Sequence, residues 1–196
     1  AFTGAYHGRT LLTLGMTGKV SPYKKDVGPF PSDIFRAPFP SVRDGVSVED
    51  ALTGLQNLFL TDAQPERVAA IIIEPVLGEG GYTPVSFGMR QALGGICDQH
   101  GILLIADESQ AGFGRTGKWF AVDHWDVVPD IITMAKGLTA SYLPLGCVAM
   151  SEKISAHFGD NVFYGGLTYN AHPMCLAAGK AVLEVLEQDD LVGNSE

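Results

Sequence analysis

The sequence predicts an α/β protein in which a mostly parallel β-sheet is sandwiched between helices. Two short apolar runs, residues 102–106 and 130–134, lead into Asp107 and Lys136 respectively. Short runs rich in Ile, Leu and Val and bounded by Gly or Pro indicate strands that are buried on both faces. Such strands alternate along the chain with segments of helical periodicity, a pattern typical of a parallel sheet covered by helices.

The composition limits the possible partners of the protein. The chain has 196 residues and is 46% hydrophobic, which is enough for one sizeable α/β core. A net charge of -9 argues against binding to nucleic acid or to an anionic membrane. No run of about 18 apolar residues occurs, so we predict no membrane span. Cys97, Cys147 and Cys175 lie in apolar sequence without metal-ligand spacing, and we expect buried free thiols in a reducing, cytoplasmic compartment.

The first elements are predicted from turn and capping residues. We expect residues 1–18 to form a strand that leads into a helix. Residues 19–45 carry five of the eleven prolines, which predicts a long irregular loop, and long loops in compact domains are often functional. Ser47 and Asp50 have the spacing of a capping box, and apolar residues at helical spacing follow, which predicts a helix over residues 48–60.

The next predicted strand covers residues 68–75 and contains Glu74 near its end. Ser86 can cap a helix that stops at Gly101, because glycine readily adopts the left-handed conformation that ends helices. Beyond the two central strands, residues 145–150 predict a strand that is antiparallel or lies at an edge of the sheet.

Two helices are predicted towards the end of the chain. Ser151 can cap a short helix that extends to residue 158. Pro173 suits the first turn of a last helix that extends to about residue 187.

Asp107 and Lys136 are the leading candidates for chemistry. Ligands of open parallel sheets bind outside the carboxyl ends of the strands, where we expect both side chains. A lysine in a partly dry site acts as a nucleophile and base, whereas a strand-end lysine that merely reaches water is the simpler alternative. Asp107 could end a strand, cap a helix or bind Mg²⁺ together with Glu74 and Glu108. It could also keep the ring nitrogen of a pyridine cofactor protonated.

Three further segments carry weaker signals. Tyr6 could stack on a planar ring and is followed by His7, although ordinary packing explains such a pair equally well. Glu79 lies among glycines, where a charge is hard to explain by packing, yet an exposed loop glutamate is the default. Residues 165–168 could offer backbone amides and the hydroxyl of Thr168 to a phosphate group.

Residues 112–117 match the pattern G-x-G-x-x-G, which would suggest a nucleotide-dependent oxidoreductase. The motif should directly follow a strand and open an amphipathic helix. Here five residues separate it from Ala106, and no helical periodicity follows. We therefore interpret it as a glycine-rich turn around Arg115.

Taken together, the motifs resemble those of the class III pyridoxal-phosphate aminotransferases, the ω-aminotransferases of fold type I. The motifs are YHGRT at 6–10, IIIEPVLGEGG at 71–81, LLIADESQAGFGRTG at 103–117, PDIITMAKGL at 129–138, PLG at 144–146 and GLTYNAHPMCLAA at 166–178. The resemblance covers essentially the whole chain. It implies pyridoxal 5'-phosphate as the cofactor and a homodimer with the site at its interface.

The resemblance implies a role for each matching residue. Lys136 would bond covalently to the cofactor aldehyde and then transfer a proton. Asp107 would pair with the ring nitrogen, and Gln110 would hydrogen-bond the phenolic oxygen of the ring. Tyr6 would stack on the ring face, and Thr168 would bind the phosphate of the neighbouring subunit's cofactor.

The remaining roles concern the substrate pocket, through Glu79 and Glu74, and the surroundings of the cofactor. Glu79 resembles the gate glutamate that pairs with an arginine when an ω-amine enters, and Glu74 resembles a glutamate that lines the substrate pocket. We assign His7 to cofactor binding. Ser109 departs from the family, in which an apolar residue packs against the ring. No residue is assigned to a metal.

The implied reaction transfers an amino group from an ω-amino acid or amine to a 2-keto acid. Acetylornithine-type aminotransferases and glutamate-semialdehyde aminomutase are alternatives within the class, and an oxidoreductase or an inactive fragment are alternatives outside it. The resemblance implies that residues 1–196 are an internal part of the cofactor-binding large domain. The upstream phosphate loop and the C-terminal small domain would then lie outside the chain, and this piece alone need not be active.

Overall fold

The computed structural model describes residues 1–195 and has an α/β fold. The α-helices are α1 (Leu11–Met16), α2 (Val48–Thr61), α3 (Phe87–His100), α4 (Glu152–Asp160) and α5 (Pro173–Gln188). The strands are β1 (Ala70–Ile73), β2 (Val76–Leu77), β3 (Thr83–Pro84), β4 (Leu103–Asp107), β5 (Ile131–Met134) and β6 (Cys147–Met150). Every helix and strand predicted beyond residue 45 is present, with ends that differ by a few residues.

The main sheet is mostly parallel, as predicted. Its order is β1-β4-β5-β6, and β2 and β3 form a separate antiparallel pair. Strand β4 is parallel to both β1 and β5, whereas β6 is antiparallel to β5 and lies at the edge. The carboxyl ends of β1, β4 and β5 therefore meet at one edge of the sheet.

The predicted helix caps position α2 and α3. Ser47 and Asp50 form a reciprocal capping box, in which each side chain accepts a hydrogen bond from the other residue's backbone amide. The hydroxyl of Ser86 accepts a hydrogen bond from the amide of Met89. Gly101 ends α3 with a φ of 67°, a conformation that glycine adopts without steric strain.

The hydrophobic core lies between one face of the sheet and the helices α2 and α3. Ile73 from β1, Leu104 from β4 and Met89 and Leu93 from α3 are almost completely buried. Because these side chains fix the strands and helices relative to each other, the carboxyl edge of the sheet is held on a packed scaffold.

The strand predicted within residues 1–18 is absent. Phe2 forms only an isolated parallel bridge with Ala37, and the next regular element is α1. Gly4 adopts a φ of 78°, which breaks the extended backbone directly after the bridge. Residues 19–45 are largely irregular, as predicted, apart from a short π-helical turn at Val20–Lys24.

The prediction that all three cysteines are buried was wrong for Cys147. Cys97 is buried in α3 and Cys175 is half-buried in α5, but Cys147 is exposed. The reason is that all four residues of the edge strand β6 are exposed. Within residues 1–195, no helix combines the length and apolarity needed to cross a membrane.

Candidate active site

The carboxyl edge of the sheet brings an acid and a lysine to neighbouring strands, as the sequence predicts. Asp107 is the last residue of β4 and pairs in register with Thr133 of β5. Lys136 follows two residues after the end of β5. Glu74 directly follows β1, whose last residue Ile73 pairs with Ala106.

The carboxylate of Asp107 is buried and accepts hydrogen bonds from three directions. Its Oδ2 lies 2.8 Å from Nδ1 of His7, and its Oδ1 lies 3.0 Å from the hydroxyl of Thr133 and 3.1 Å from the amide of Ser109. Burial raises the pKa of Asp107, but the hydrogen bonds from His7 and Ser109 outweigh it and hold the pKa below its usual range. Asp107 is therefore an ionised carboxylate inside the protein.

The side chain of His7 connects the N-terminal segment to this carboxylate. It is only 1% exposed, and its backbone amide donates to the hydroxyl of Thr17 at 3.2 Å. Its Nε2 is buried and has no hydrogen-bond partner among residues 1–195. The contact with Asp107 joins residues a hundred positions apart, so neighbouring sequence could not have revealed it.

Lys136 has a strained backbone and an exposed side chain. Its φ is 43°, a left-handed conformation that is uncommon for residues other than glycine and is concentrated at functional sites. It begins the 3₁₀ turn Lys136–Thr139 and lines an open cleft of about 360 Å³ with Ser141 and Tyr142. A larger, mostly apolar cavity of about 730 Å³ runs along α2 and β1, away from this edge.

Glu74 is buried, and both of its carboxylate oxygens bind backbone amides. Oε1 accepts from the amide of Tyr6 at 2.8 Å, and Oε2 accepts from the amide of Gly78 at 3.0 Å. Burial raises the pKa of Glu74, and these hydrogen bonds only partly oppose the shift. Glu74 therefore links the backbone of Tyr6 to the loop that follows β1.

Gln110 packs against the backbone of Gly78. A Cβ atom on Gly78 would overlap with the side-chain amide of Gln110, so only glycine permits this contact. Gln110 is half-buried and lies three residues beyond Asp107. The glycine-rich loop after β1 thus makes room for the polar side chain of Gln110.

Tyr6 and Glu79 meet a residue that the sequence did not point to, Tyr23. The rings of Tyr6 and Tyr23 have centroids 4.9 Å apart, and the guanidinium of Arg9 lies 5.9 Å and 5.4 Å from these centroids. The hydroxyl of Tyr23 donates to the carboxylate of Glu79, and Lys19 donates to the backbone carbonyl of Glu79. The hydrogen bond with Glu79 raises the pKa of Tyr23.

Thr168 is not joined to the other candidates within the described part of the chain. It is exposed at the start of a turn, and no hydrogen bond among residues 1–195 connects it to Asp107 or its partners. The surrounding segment also exposes large apolar side chains. They are Val162, Phe163, Tyr164, Leu167, Tyr169 and Met174.

The structure gives the magnesium alternative no support. Glu108 turns away from Asp107, since its Oε1 accepts from the amide of Val122 at 2.7 Å. Among residues 1–195, no three His, Cys, Asp or Glu side chains are grouped to hold a metal ion. Residues 112–117 form successive turns and do not open an α-helix, which confirms the interpretation as a glycine-rich turn.

Sequence reasoning missed Thr133 and Tyr23. Thr133 lies three residues before Lys136 on the predicted strand, and its position opposite Asp107 follows once the register of the two strands is known. No comparable signal existed for Tyr23, because it reaches Glu79 from the irregular loop.

Comparison with known proteins decides the family. The family model described as "Aminotransferase class-III" matches residues 1–196, the whole chain. The chain belongs to the class-III aminotransferases. Members of this family depend on pyridoxal phosphate, and the α/β fold described above is the family's fold type I.

This class-III aminotransferase chain aligns over nearly its whole length with curated relatives and with a solved structure. It is 47% identical to 5-aminovalerate aminotransferase DavT of Pseudomonas putida, covering 100% of the chain and 45% of the relative. It is 44% identical to 4-aminobutyrate aminotransferase GabT of Escherichia coli, covering 98% and 44%. The crystal structure of taurine:2-oxoglutarate aminotransferase from Bifidobacterium kashiwanohense, in complex with PLP and glutamate, superimposes with a TM-score of 0.90. That match has 34% identity and covers 97% and 45%. The chain spans less than half the length of these relatives.

Proposed function

We propose that the protein transfers an amino group from an ω-amino acid or amine to a 2-keto acid with pyridoxal 5'-phosphate. The single observation that carries this proposal is the buried, hydrogen-bonded carboxylate of Asp107 on the strand next to the one that leads to Lys136. Relatives named for 5-aminovalerate and 4-aminobutyrate support an ω-amino acid as the donor. The relatives are more than twice as long, which supports assigning residues 1–196 to an internal part of the cofactor-binding large domain.

The hydrogen bonds to Asp107 leave one acceptor position for the cofactor ring. An ionised carboxylate offers about four acceptor positions, and His7, Thr133 and Ser109 occupy three of them. The remaining position suits the protonated nitrogen of a pyridine ring. When bound, the cofactor supplies an electron sink for the bonding electrons of the substrate carbon, and Asp107 keeps the ring nitrogen protonated.

Lys136 is the residue that we assign to the reacting atoms. Its amine would hold the cofactor covalently and would move a proton at the substrate carbon. The position of Lys136 at the lining of an open cleft and its uncommon backbone conformation both support this assignment. Because Asp107 ends β4 and Lys136 follows the adjacent strand β5, they can act on opposite ends of the same ring.

The other cofactor contacts come from loops around this edge. We assign Tyr6 to stacking on the ring, His7 to holding Asp107, and Gln110 to a hydrogen bond with the phenolic oxygen of the ring. Thr168 binds the phosphate of a neighbouring subunit's cofactor in this proposal. Its exposure agrees with this role, as does the lack of a hydrogen bond to Asp107 among residues 1–195.

Two glutamates concern the substrate. We assign Glu79 to the gate that pairs with an arginine outside the chain, and its exposed carboxylate supports this role. We place Glu74 beside the substrate pocket, where its amide contacts make it a support for Tyr6.

The assembly and compartment are also proposals. We infer a homodimer, supported by the exposed apolar segment around Thr168. We infer a cytoplasmic location, supported by three free cysteines, since disulfides are rare in reducing compartments.

The test is covalent labelling of the full-length protein that contains this chain. We expect a visible absorbance band with pyridoxal phosphate that borohydride abolishes, with the label mapped by mass spectrometry to Lys136. Lys136→Ala should lose the label and nearly all amino transfer, whereas Lys153→Ala, at an exposed position of α4, should retain both. A fully labelled Lys136→Ala protein contradicts the proposal.

A further inference from the structure

Thr133 stands opposite Asp107 on the neighbouring strand and contacts it directly. The two residues pair in register, and the hydroxyl of Thr133 donates to Oδ1 of Asp107 at 3.0 Å. The carbonyl of Thr133 also accepts a hydrogen bond from the amide of Glu108 at 2.9 Å. Thr133 is thus tied through its backbone and its side chain to the end of β4.

Three ionisable groups surround Asp107, and two of them are acids whose negative charge would repel that of Asp107. His7 faces it from the N-terminal segment at 2.8 Å. Glu74, after β1, and Glu108, the next residue along the chain, are acidic, and the charge of Asp107 contributes to raising the pKa of both. An ionised Asp107 in this acidic and buried setting needs several hydrogen-bond donors.

A threonine is suited to supply one of them. Its hydroxyl stabilises the carboxylate without adding a positive charge, which would repel a protonated ring nitrogen at the remaining acceptor position. Its β-branched side chain has few χ1 rotamers, so a strand position fixes the direction of the hydroxyl. The χ2 angle of an aspartate, by contrast, has a broad distribution, and each hydrogen-bond donor to the carboxylate restricts it.

We propose that Thr133 is a positioning residue of the active site. Its hydroxyl holds the plane of the Asp107 carboxylate and adds to the donors that stabilise the charged form, so that the free acceptor position faces the ring nitrogen of the cofactor. The cofactor part of this inference rests on the proposed function. The contact between Thr133 and Asp107 is independent of the proposed function.

The test compares three variants of the full-length protein. Thr133→Val removes the hydroxyl at nearly constant volume, and Thr133→Ser restores a hydroxyl. Thr139→Val is the matched control, because Thr139 is a buried threonine whose hydroxyl donates at 2.6 Å to a backbone carbonyl, that of Leu143. Thr133→Ala replaces the valine variant should the latter not fold.

The first measurement follows the side-chain carboxyl carbon of Asp107 by ¹³C NMR through a pH titration of the cofactor-free protein. Asp107→Asn identifies the resonance. We expect a higher pKa of Asp107 in Thr133→Val than in the wild type, a value near the wild type in Thr133→Ser, and no change in Thr139→Val. The second measurement is pyridoxal phosphate affinity, which should fall about tenfold in Thr133→Val and recover in Thr133→Ser.

The two measurements separate the two proposals. An unchanged titration of Asp107 in Thr133→Val overturns the positioning role, whatever the affinity for the cofactor. Equal effects of Thr133→Val and Thr139→Val on that titration overturn it as well. A wild-type full-length protein that does not bind pyridoxal phosphate overturns the proposed function and the cofactor part of this inference, even when the titration shifts as expected.

Discussion

At the scale of single residues, three neighbouring acids differ because their partners differ. Asp107 has donors on both carboxylate oxygens, including His7, and its pKa is lowered. Glu74 and Glu108 are also buried, and burial outweighs their amide hydrogen bonds, so their pKa values are raised. Glu108 in addition has one carboxylate oxygen without a partner among residues 1–195. The different partners thus lower the pKa of one buried acid and leave the pKa values of the other two raised.

Glu108 gives a pH-dependent prediction at this scale. A raised folded-state pKa means that stability is lost as pH rises from about 4.3, the ordinary value, through the folded-state value. Glu108→Gln keeps an acceptor for the amide of Val122 and cannot ionise. We expect its stability relative to wild type to increase between pH 4 and pH 7, measured by urea unfolding of this chain. A constant difference across that range contradicts the prediction, and Glu187→Gln at an exposed site of α5 is the control.

At the scale of elements, the irregular loop and the glycine-rich turn act together. The π-helical turn Val20–Lys24 places Tyr23 so that its hydroxyl reaches Glu79 and its ring lies against Tyr6. The candidate gate residue is therefore linked to the candidate stacking residue through a single tyrosine. The long loop with many prolines thus contributes a side chain that joins the two candidates.

The second prediction tests this link in the full-length protein. Glu79→Ala should slow the half-reaction with an ω-amine and the half-reaction with a keto acid unequally. Tyr23→Phe frees the carboxylate of Glu79 but keeps the ring against Tyr6, so it should change the same ratio. Single-turnover absorbance kinetics measure both rates, and Tyr82→Phe, in the turn beyond Glu79, is the control. Equal losses in both half-reactions count against a gate role.

At the scale of the whole molecule, one surface has the character of an interface. The segment around Thr168 exposes several large apolar side chains, with Tyr164 at 92% and Leu167 at 78%. Contiguous exposed apolar surface commonly marks protein–protein contacts. A second copy would cover this segment and bring Thr168 towards the cofactor of the neighbouring subunit.

Two leucines of similar exposure test the dimer. Leu167→Glu places a charge in the proposed interface and should weaken dimerisation of the full-length protein at least about tenfold. Leu60→Glu places the same charge on α2, where the leucine is 82% exposed, and should leave the dimer intact. Sedimentation equilibrium measures both, with circular dichroism to verify folding. A wild-type monomer, or equal effects of both substitutions, contradicts the proposed interface.

The sequence by itself determined the local elements and the family. Periodicity, capping residues and glycine stops predicted α2, α3, α5 and the central strands, because these signals act between neighbouring residues. The order of the strands then placed Asp107 and Lys136 at one edge of the sheet. The prediction of a strand near Phe2 was wrong, because the single bridge between Phe2 and Ala37 does not continue into a ladder.

Only the tertiary structure decided which partners these residues meet. Thr133 faces Asp107 through strand register, His7 reaches it across a hundred residues, and Tyr23 reaches Glu79 from an irregular loop. Glu74 is bound to backbone amides on both oxygens, which no motif indicated. Such contacts depend on how distant segments pack, and local sequence carries no information about that packing.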